Sequence, residues 1–404
     1  MSTINDAKFI LIPSGYKSQK VYSVKPTNGD GDFTFARTSS ATRLNGGNNI
    51  ETLATNMPRL NYFATCPSLL LEGNSTNSHT YSEVSTGKTL TNITLTNDSA
   101  TSPSGEFNAM ELKEDTNNGK HRFSGNSIFV MSSRTYTISM FVKKNSDNRF
   151  VFINAGALLN ASGSFDLDTQ ATTGDVEIFN NYGNGWYRIG ITATAPSTLA
   201  TSFFVQIQQG TTDAAYTGDG TSNFYIWGLQ FEELSAVSSY IKTEGSSASR
   251  TKDQCLNGGN STLFDISEGS FFVDVKPYKN TSFYNISLSD GSADNRVSWQ
   301  FQNNNTQVKV RIVSGGSEIS QVNESVNFGS RNKLCVTFKN NEFKTYINGS
   351  LVETITSGNA PTSLDVLNFA VYNGTNNYFQ GEVYDVRVYD VVLTQTQANE
   401  LTTI

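Results

Sequence analysis

The sequence predicts an all-β protein built of two antiparallel β-sandwiches, with an extended arm at the N-terminus. Charged residues make up only 16% of the 404, and Asn, Ser, Thr and Gly supply most of the polarity. Thr with Phe and Tyr suits a half-buried pleated surface, whereas Asn and Gly suit turns. Short apolar runs that alternate with a period near two, such as residues 136–143, recur between these turn residues. At this length we expect two or three domains.

Residues 1–65 hold short apolar segments at 9–12, 21–24 and 33–35, and each is too short to own a core. Such a segment becomes ordered by adding to something else, either the next domain or a partner subunit. We therefore predict an extended attachment arm over 1–65. An irregular first layer of the following domain is the alternative.

Residues 66–243 show repeated strands and turns and are predicted to form the first sandwich. Apolar runs at 150–153, 186–191, 203–207 and 224–231 are short and are bounded by Gly and Asn. This pattern favours a sandwich over a barrel of long strands. The small, polar stretch 244–252 is predicted to be the domain boundary.

Residues 253–404 are predicted to form the second sandwich. Asn348 and Gly349 lie between two alternating apolar runs, which is the strongest short hairpin signal. The end of the chain carries the one predicted helix, over 394–401. Thr394 is its expected N-cap, with Gln397 three residues further on.

The C-terminal third resembles the concanavalin-like, laminin-G-like sandwich. The segment KLCVTFKNNEFKTYINGSLV, residues 333–352, is similar to the family's strand, hairpin and Y-x-N-G turn. The segment GEVYDVRVYDVVLTQTQANEL, residues 381–401, is similar to its final strand and closing turn of helix. The resemblance implies this fold and says almost nothing about a ligand.

The middle region resembles the jelly-roll, carbohydrate-binding-type modules of phage structural proteins. The segments GNGWYRIGI at 183–191 and YIWGLQFEE at 225–233 carry this resemblance. Upstream, FTFARTSSATR at 33–43 and CPSLLLEG at 66–73 are similar to segments that precede such modules in phage fibre and virion-surface proteins. Together the arm, jelly roll and laminin-G-like sandwich resemble a family of phage virion proteins over nearly the whole chain.

The resemblance implies a bacteriophage virion structural protein on the particle surface, as a head fibre or capsid decoration or as a tail fibre. It would mediate host attachment by adhesion, with glycan binding and without catalysis. Its partners would be other virion proteins, contacted through the arm by strand addition, and a host-surface or environmental glycan. A homo-oligomer, with a trimer favoured, would add avidity. A decoration protein with no glycan affinity and a glycan depolymerase are the alternatives.

Charge and hydropathy exclude other classes of partner. A net charge of −7 and a pI near 5.0 argue against nucleic-acid binding, which depends on Lys and Arg clusters. Nothing approaches the ~20 apolar residues of a membrane span, and the apolar segment 9–13 is too short for a signal peptide. We therefore expect synthesis in the host cytoplasm and location in the virion. Cys66, Cys255 and Cys335 are far apart and predict three reduced, buried thiols.

Catalytic patterns are absent from the sequence, so we predict that the protein is not an enzyme. His79 and His121 have no Cys, His or acidic neighbours at ligand spacing. Glu232 and Glu233 are adjacent on a predicted strand, and therefore point to opposite faces and cannot share one site. A strand end that enters solvent is the simpler explanation for this pair.

Aromatic residues next to polar ones are the candidates for sugar binding, because a pyranose has an apolar face and a hydroxyl rim. Trp186 and Trp227 lie in alternating apolar runs and are better explained by core packing. Trp299 precedes a polar Asn run and is a candidate platform. Tyr372 and Tyr378 flank the loop 373–377. The predicted glycan-binding residues are Trp299, Tyr372, Asn376 and Tyr378, although hairpin loops have the same composition.

One acidic turn is a candidate metal site. Asp290, Asp294 and Asn295 could bind Ca²⁺ through oxygen atoms. A hairpin turn rich in Asp, Gly and Asn is the alternative. We predict no other cofactor.

Overall fold

The computed structural model describes residues 6–63, 66–279, 282–302 and 304–404. The chain forms two compact units. Unit 1 comprises the described residues of Met1–Ser40, Leu53–Gly73 and Thr251–Ile404, and unit 2 comprises Ala41–Thr52 and Asn74–Arg250. Nearly all regular structure is β, and the named strands pair in antiparallel sheets. The predicted all-β class with two sandwiches is confirmed.

The strands are short, as the closely spaced turn residues predict. The first eight are β1 Phe9–Leu11, β2 Tyr16–Lys17, β3 Lys20–Val21, β4 Phe33–Ala36, β5 Ala41–Leu44, β6 Ile50–Leu53, β7 Arg59–Asn61 and β8 Ser68–Leu71. The next eighteen are β9 Ser75–Asn77, β10 Thr89–Thr91, β11 Ile93–Ala100, β12 Ala109–Glu114, β13 Asn118–Gly119, β14 His121–Ser124, β15 Ile128–Val130, β16 Thr135–Lys144, β17 Phe150–Asn154, β18 Ser162–Asp166, β19 Thr172–Gly174, β20 Glu177–Gly183, β21 Trp186–Thr194, β22 Leu199–Thr201, β23 Phe204–Gln208, β24 Tyr216–Thr217, β25 Asn223–Glu232 and β26 Ala248–Arg250. The last eleven are β27 Gln254–Leu256, β28 Gly269–Pro277, β29 Tyr284–Ser289, β30 Arg296–Phe301, β31 Gln307–Ser314, β32 Ser317–Ser325, β33 Asn332–Lys339, β34 Glu342–Ile347, β35 Ser350–Ile355, β36 Val366–Asn368 and β37 Gly381–Tyr389. The helices are α1 Gly156–Leu159 and α2 Gln395–Thr402.

Unit 1 is a sandwich of two antiparallel sheets. The larger sheet has the order β35-β34-β33-β28-β37-β8-β7, and β1 also pairs with β37. The smaller sheet has the order β32-β31-β30-β29-β36. Phe271 and Val273 of the first sheet belong to one core cluster with Ile286, Trp299 and Val310 of the second. The inner faces of the two sheets therefore form the core of this unit.

The N-terminal segment is not a separate arm, and here the structure differs from the prediction. β1 pairs with β37 through Phe9 with Val388 and Leu11 with Val386, and its three side chains are fully buried. β7 and β8 extend the same sheet, while β4 pairs with β27. β1 is hydrogen-bonded to β37 and, through Ile10, to Lys25, so it is not a free strand that could add to a partner's sheet. Residues 1–5 and 64–65 of the predicted arm lie outside the described residues.

A buried network of charges ties this N-terminal segment to the C-terminal part of unit 1. Arg37 Nη1 donates to Asp253 Oδ1 at 3.0 Å, and Arg59 bridges Asp253 and Glu72, with 2.6 Å from its Nη1 to Glu72 Oε2. The Glu72 amide donates to Asp253 Oδ2 at 2.9 Å. The side chains of Arg37, Arg59 and Asp253 are fully buried. Three separate stretches of chain therefore meet at one carboxylate.

Unit 2 is a sandwich of two six-stranded antiparallel sheets. Their orders are β11-β12-β25-β16-β21-β20 and β10-β14-β23-β17-β18-β19. Ile138 and Met140 of the first sheet share a core cluster with Val151, Val205 and Ile207 of the second. Residues 41–52 belong to this unit and residues 66–73 do not, which differs from the predicted limits of 66–243. The change between units at Arg250 and Thr251 lies inside the predicted boundary 244–252.

Local signals at the C-terminus are confirmed. Thr394 caps α2 and forms a capping box with Gln397. Asn348 and Gly349 have φ angles of 48° and 84° and join β34 to β35, as a two-residue hairpin turn with positive φ at both central positions requires.

Two further expectations concern cysteines and membrane spans. The cysteines are free thiols, but only Cys255 and Cys335 are buried, and Cys66 is exposed. The prediction of three buried thiols is therefore wrong for Cys66. Among the described residues, no helix is long and apolar enough to cross a membrane.

Candidate functional site

The outer face of the five-stranded sheet in unit 1 is polar. Along β29 and β30, alternate residues point to opposite faces, and Ile286, Leu288, Val297 and Trp299 point into the core. The other face therefore carries a block of polar residues in neighbouring register. Asn285 pairs with Gln300, while Ser287 pairs with Ser298, which pairs in turn with Arg311.

A cleft of about 200 Å³ lies on this face. Its lining consists of polar sheet residues and one loop that follows β36. The lining residues are Asn285 and Ser287 of β29, Arg296, Ser298 and Gln300 of β30, Arg311 of β31, and Val371, Tyr372 and Asn377 of the loop.

Tyr372 is held in place by its backbone. Its carbonyl oxygen accepts hydrogen bonds from Ser289 Oγ at 3.1 Å and from Asn368 Nδ2 at 3.0 Å. One residue pair further on, Ser287 Oγ donates to the Ala370 carbonyl at 2.8 Å. Small hydroxyl side chains of β29 thus position the loop and its aromatic ring. Because Ser287 and Ser289 belong to the paired strand β29, their hydrogen bonds hold the Tyr372 ring in a fixed position in the cleft lining.

Arg296 is the central charged group of the cleft. Its residue is 7% exposed, and its guanidinium carbon lies 4.9 Å from the centroid of the Tyr372 ring. No carboxylate in the described part of the chain lies within 4.0 Å of its nitrogens, whereas Arg311 Nε donates to Glu318 Oε1 at 2.7 Å. Burial, and then the nearby Arg311 charge, lower the pKa of Arg296 below its usual value. It remains charged, and Tyr372, Glu318 and Asp294 compensate that charge only in part, because their effect on its pKa is outweighed by burial and Arg311.

Asn285 supplies a second unused donor. Its residue is 6% exposed, and its Nδ2 atom is buried without a hydrogen-bond partner among the described residues. Its backbone N–H donates to the Asn377 carbonyl at 2.9 Å, which fixes the strand against the loop. A buried amide donor without a partner costs about 1–3 kcal/mol. Such a group in a cleft is satisfied when a ligand or water supplies an acceptor.

The structure places the four predicted glycan-binding residues differently. Tyr372 lines the cleft, and its contact with glycan stays a prediction. Trp299 is fully buried among core residues on the inner face, so the prediction that it is an exposed platform is wrong. Asn376 is exposed outside the cleft lining, where its neighbour Asn377 lies. Tyr378 donates its hydroxyl to the Thr375 carbonyl at 2.9 Å and lies 4.2 Å beneath the Lys252 Nζ, outside the cleft.

The sequence reasoning missed Arg296, Asn285 and Arg311. One signal could have found Arg296. Once Trp299 is assigned to the core, alternation sends its neighbours Ser298 and Gln300, and then Arg296, to the outer face.

The predicted calcium residues are close together in the β29–β30 turn. Asp290 Oδ1 accepts from the Ser292 amide at 2.8 Å, Asp290 Oδ2 accepts from Asn295 Nδ2 at 2.9 Å, and Asn295 Oδ1 accepts from the Gly315 amide at 3.0 Å. Burial acts to raise the pKa of Asp290, but these hydrogen bonds outweigh it and the pKa is lowered. The described residues contain no group of three His, Cys, Asp or Glu side chains that could hold a metal. Calcium binding by Asp290, Asp294 and Asn295 stays a prediction.

His79 and His121 are both buried in the interior of unit 2. His79 is buried in unit 2, where desolvation and the nearby Lys88 charge lower its pKa to about 3. His121 is also buried, with its ring nitrogens 2.7 Å from the Asn92 carbonyl oxygen and 3.2 Å from the Tyr216 carbonyl oxygen. Both rings are therefore held as parts of the interior.

The adjacent carboxylates lie apart. Glu232 is fully buried and accepts from Ser75 Oγ at 2.6 Å, while Glu233 is exposed and pairs with Arg134 at 2.9 Å. The prediction of opposite faces therefore agrees with the structure. The expectation that this strand end enters solvent is wrong for Glu232.

Unit 2 has a cleft of its own, of about 420 Å³. Asn48, Lys143, Tyr182 and Trp186 are among its lining residues. Trp186 is 3% exposed and donates its Nε1–H to the Thr101 carbonyl at 3.1 Å. Its ring is therefore part of the packing, as predicted, and does not form an open platform.

Comparison with known proteins supports the C-terminal assignment. The family model described as the concanavalin A-like lectin/glucanases superfamily matches residues 250–399. The predicted concanavalin-like domain is thus confirmed for this part of the chain. No curated protein sequence matches the chain.

Several solved structures are similar to parts of the chain. The CBM40 module of the Ruminococcus gnavus IT-sialidase, bound to α2,3-sialyllactose, has 16% identity and a TM-score of 0.31, over 37% of this chain and 94% of that chain. Domain 4 of an extracellular arabinanase from Geobacillus stearothermophilus, in complex with arabinotriose, has 17% identity and a TM-score of 0.31, over 42% of this chain and 82% of that one. A putative carbohydrate-binding protein from Bacteroides ovatus has 11% identity and a TM-score of 0.28, over 69% of this chain and 85% of that chain. These ligands are properties of those proteins.

Proposed function

We propose that the protein binds glycan, without catalysis, at the cleft on the outer face of the five-stranded sheet in unit 1. The observation that carries this proposal is that one cleft combines the ring of Tyr372, the buried Arg296 that no carboxylate of the described residues contacts, and Asn285, whose buried Nδ2 has no hydrogen-bond partner among the described residues. Sugars present apolar C–H patches and a rim of hydroxyl oxygens, so they match such a mixture of ring and donors. The match of residues 250–399 to a lectin-containing superfamily is consistent with it.

The setting of this activity follows from the sequence resemblance. We propose that the protein is displayed on a bacteriophage particle as a head fibre, decoration or tail fibre, where repeated copies turn weak sugar contacts into avidity. A trimer would provide the repetition. Because β1 is committed to its own sheet, attachment to other virion proteins would use surfaces other than a free N-terminal strand.

A glycan array with the full chain tests the binding. Tyr372→Ala is expected to weaken the best ligand about 5- to 150-fold, the equivalent of about 1–3 kcal/mol for a lost aromatic contact, by analogy with other stacking sites. Tyr378→Ala is the matched control, because it removes the same side chain from the same loop outside the cleft. Equal melting temperatures of the variants and the wild type would show that folding is intact.

Each outcome discriminates among the alternatives. If no glycan binds the wild type, the glycan proposal fails and a purely structural decoration role replaces it. If both variants keep full binding, the cleft is not the site. Shortened glycan products after incubation would instead favour a depolymerase.

A further inference from the structure

We infer that the cleft of unit 1 selects a sugar that carries a carboxylate, and that Arg296 binds this carboxylate. The inference rests on the proposed glycan binding and names the class of sugar. It follows from the state of Arg296, from the balance of charge around it and from the donors beside it.

Arg296 is a charged group without a carboxylate in direct contact among the described residues. It is 7% exposed, and the described chain offers it the face of Tyr372 at 4.9 Å but no carboxylate within 4.0 Å. The well-buried arginines of this unit have such partners, since Arg37 and Arg59 both pair with Asp253. Removal of a guanidinium from water is costly without an anion. Binding of an anionic ligand would therefore stabilise the buried Arg296 charge.

The balance of charge favours a single negative charge. Arg311 lies next to Arg296 on the same face, but Glu318 pairs with it at 2.7 Å. Glu318 and Asp294 act on Arg296 only from beyond 4.0 Å, so one positive charge remains in the cleft without a carboxylate in contact. A carboxylate would neutralise it, whereas a dianionic phosphate would exceed it and approach Glu318. A neutral sugar would leave the buried charge unpaired.

The shape of the donors also fits a sugar acid. A guanidinium presents parallel N–H groups that match the two oxygens of a planar carboxylate. Ser298, which is 5% exposed, lies two residues from Arg296 on β30, and Asn285, whose Nδ2 has no partner among the described residues, lies further along the cleft, opposite Gln300. These two side chains can donate to ring hydroxyls while Arg296 holds the acid.

Wild-type protein provides the first test. Oligosaccharides ending in glucuronic acid and in N-acetylneuraminic acid are compared with their methyl esters, which keep the shape and remove the charge, and with a sulfated analogue. At least one of the two acids is expected to bind ten- to a hundred-fold more tightly than its ester, and its affinity should fall as NaCl rises. Comparison of the two acids shows whether the cleft prefers a uronic acid, such as glucuronic acid, or a nonulosonic acid, such as N-acetylneuraminic acid.

Variants locate the charge. Arg296→Gln is expected to remove the difference between acid and ester, and Arg296→Lys to restore part of it, because Lys keeps the charge without the fork. Lys309→Gln is the matched control, since Lys309 lies on the same strand face two residues from Arg311 but outside the cleft lining. Melting temperatures report whether each variant is folded.

Two results would overturn the inference and leave the glycan proposal intact. One is equal binding of acids and esters by the wild type, which needs no variant. The other is binding of the sulfated analogue but of neither acid. Absence of binding to every glycan, charged or neutral, would refute the proposed function itself.

Discussion

Asp253 holds together the most deeply buried charges of unit 1, and its neutralisation is expected to destabilise that unit strongly. In the variant Asp253→Asn, Arg37 and Arg59 both lose a negative partner. Arg59 keeps its bond to Glu72 at 2.6 Å, and Arg37 keeps three backbone carbonyls between 2.9 and 3.0 Å. One net positive charge then remains in a site without water access.

Removal of one partner from a buried ion pair costs about 3–5 kcal/mol. For a unit of this size, each kcal/mol lowers the melting temperature by about 2–4 °C, so the expected loss is about 6–20 °C. Denaturation of the full chain measures the loss, and hydrogen exchange assigns it to unit 1. Asp390→Asn is the matched control in the same unit. Its pair with Lys8 is at 3.3 Å and about 40% exposed, so the expected cost is at most about 1 kcal/mol.

A loss below 1 kcal/mol for Asp253→Asn would refute this reasoning. It would mean that the unfolded chain, or relaxation around Arg37, compensates the lost charge. An equal loss for both variants would show that burial does not set the cost.

Three more perturbations have defined outcomes. Phe9→Ala removes a fully buried ring from β1 and should cost about 3–5 kcal/mol in chemical denaturation; a negligible cost would favour a detachable arm after all. His79 has its pKa lowered by burial to about 3, so the unfolded chain takes up the proton first and the stability present above pH ~6.5 is lost as the pH falls towards 3. Between pH 6.5 and 4.5 this loss is about 2–3 kcal/mol, and denaturation of His79→Leu should lack it; an identical pH profile would contradict the assignment. Thr394→Ala removes the N-cap of α2 and should cost about 1 kcal/mol of unfolding free energy, whereas Thr396→Ala, at an exposed position of the same helix, is the control.

Features with local causes could be predicted from the sequence. The capping box of α2 and the turn at Asn348 and Gly349 depend on neighbouring residues alone. The position of β1 could not be predicted, because its partner β37 lies at the other end of the chain. Short apolar strands do not indicate which sheet they join.

In the candidate site, too, features with local causes could be predicted and features that depend on distant strands could not. Tyr372 was found because an aromatic residue beside an Asn-rich loop is visible in sequence. Trp299 was misassigned because the polar residues that follow it suggested a surface, although strand alternation placed it in the core. The cleft residue Arg296 was missed because its outward position follows only after Trp299 is assigned to the core. Its lack of a carboxylate partner depends on the register of three strands.

The buried network gives a physical meaning to two segments that the sequence resemblance singled out. Arg37 belongs to FTFARTSSATR and Glu72 to CPSLLLEG, and both contact the network of Asp253. These residues hold the N-terminal strands in the sheet of unit 1 without contacting the cleft. In this chain, the two segments therefore contribute to the closure of the unit 1 sandwich. The proposed ligand contacts lie elsewhere in the same unit, at Arg296 and Tyr372.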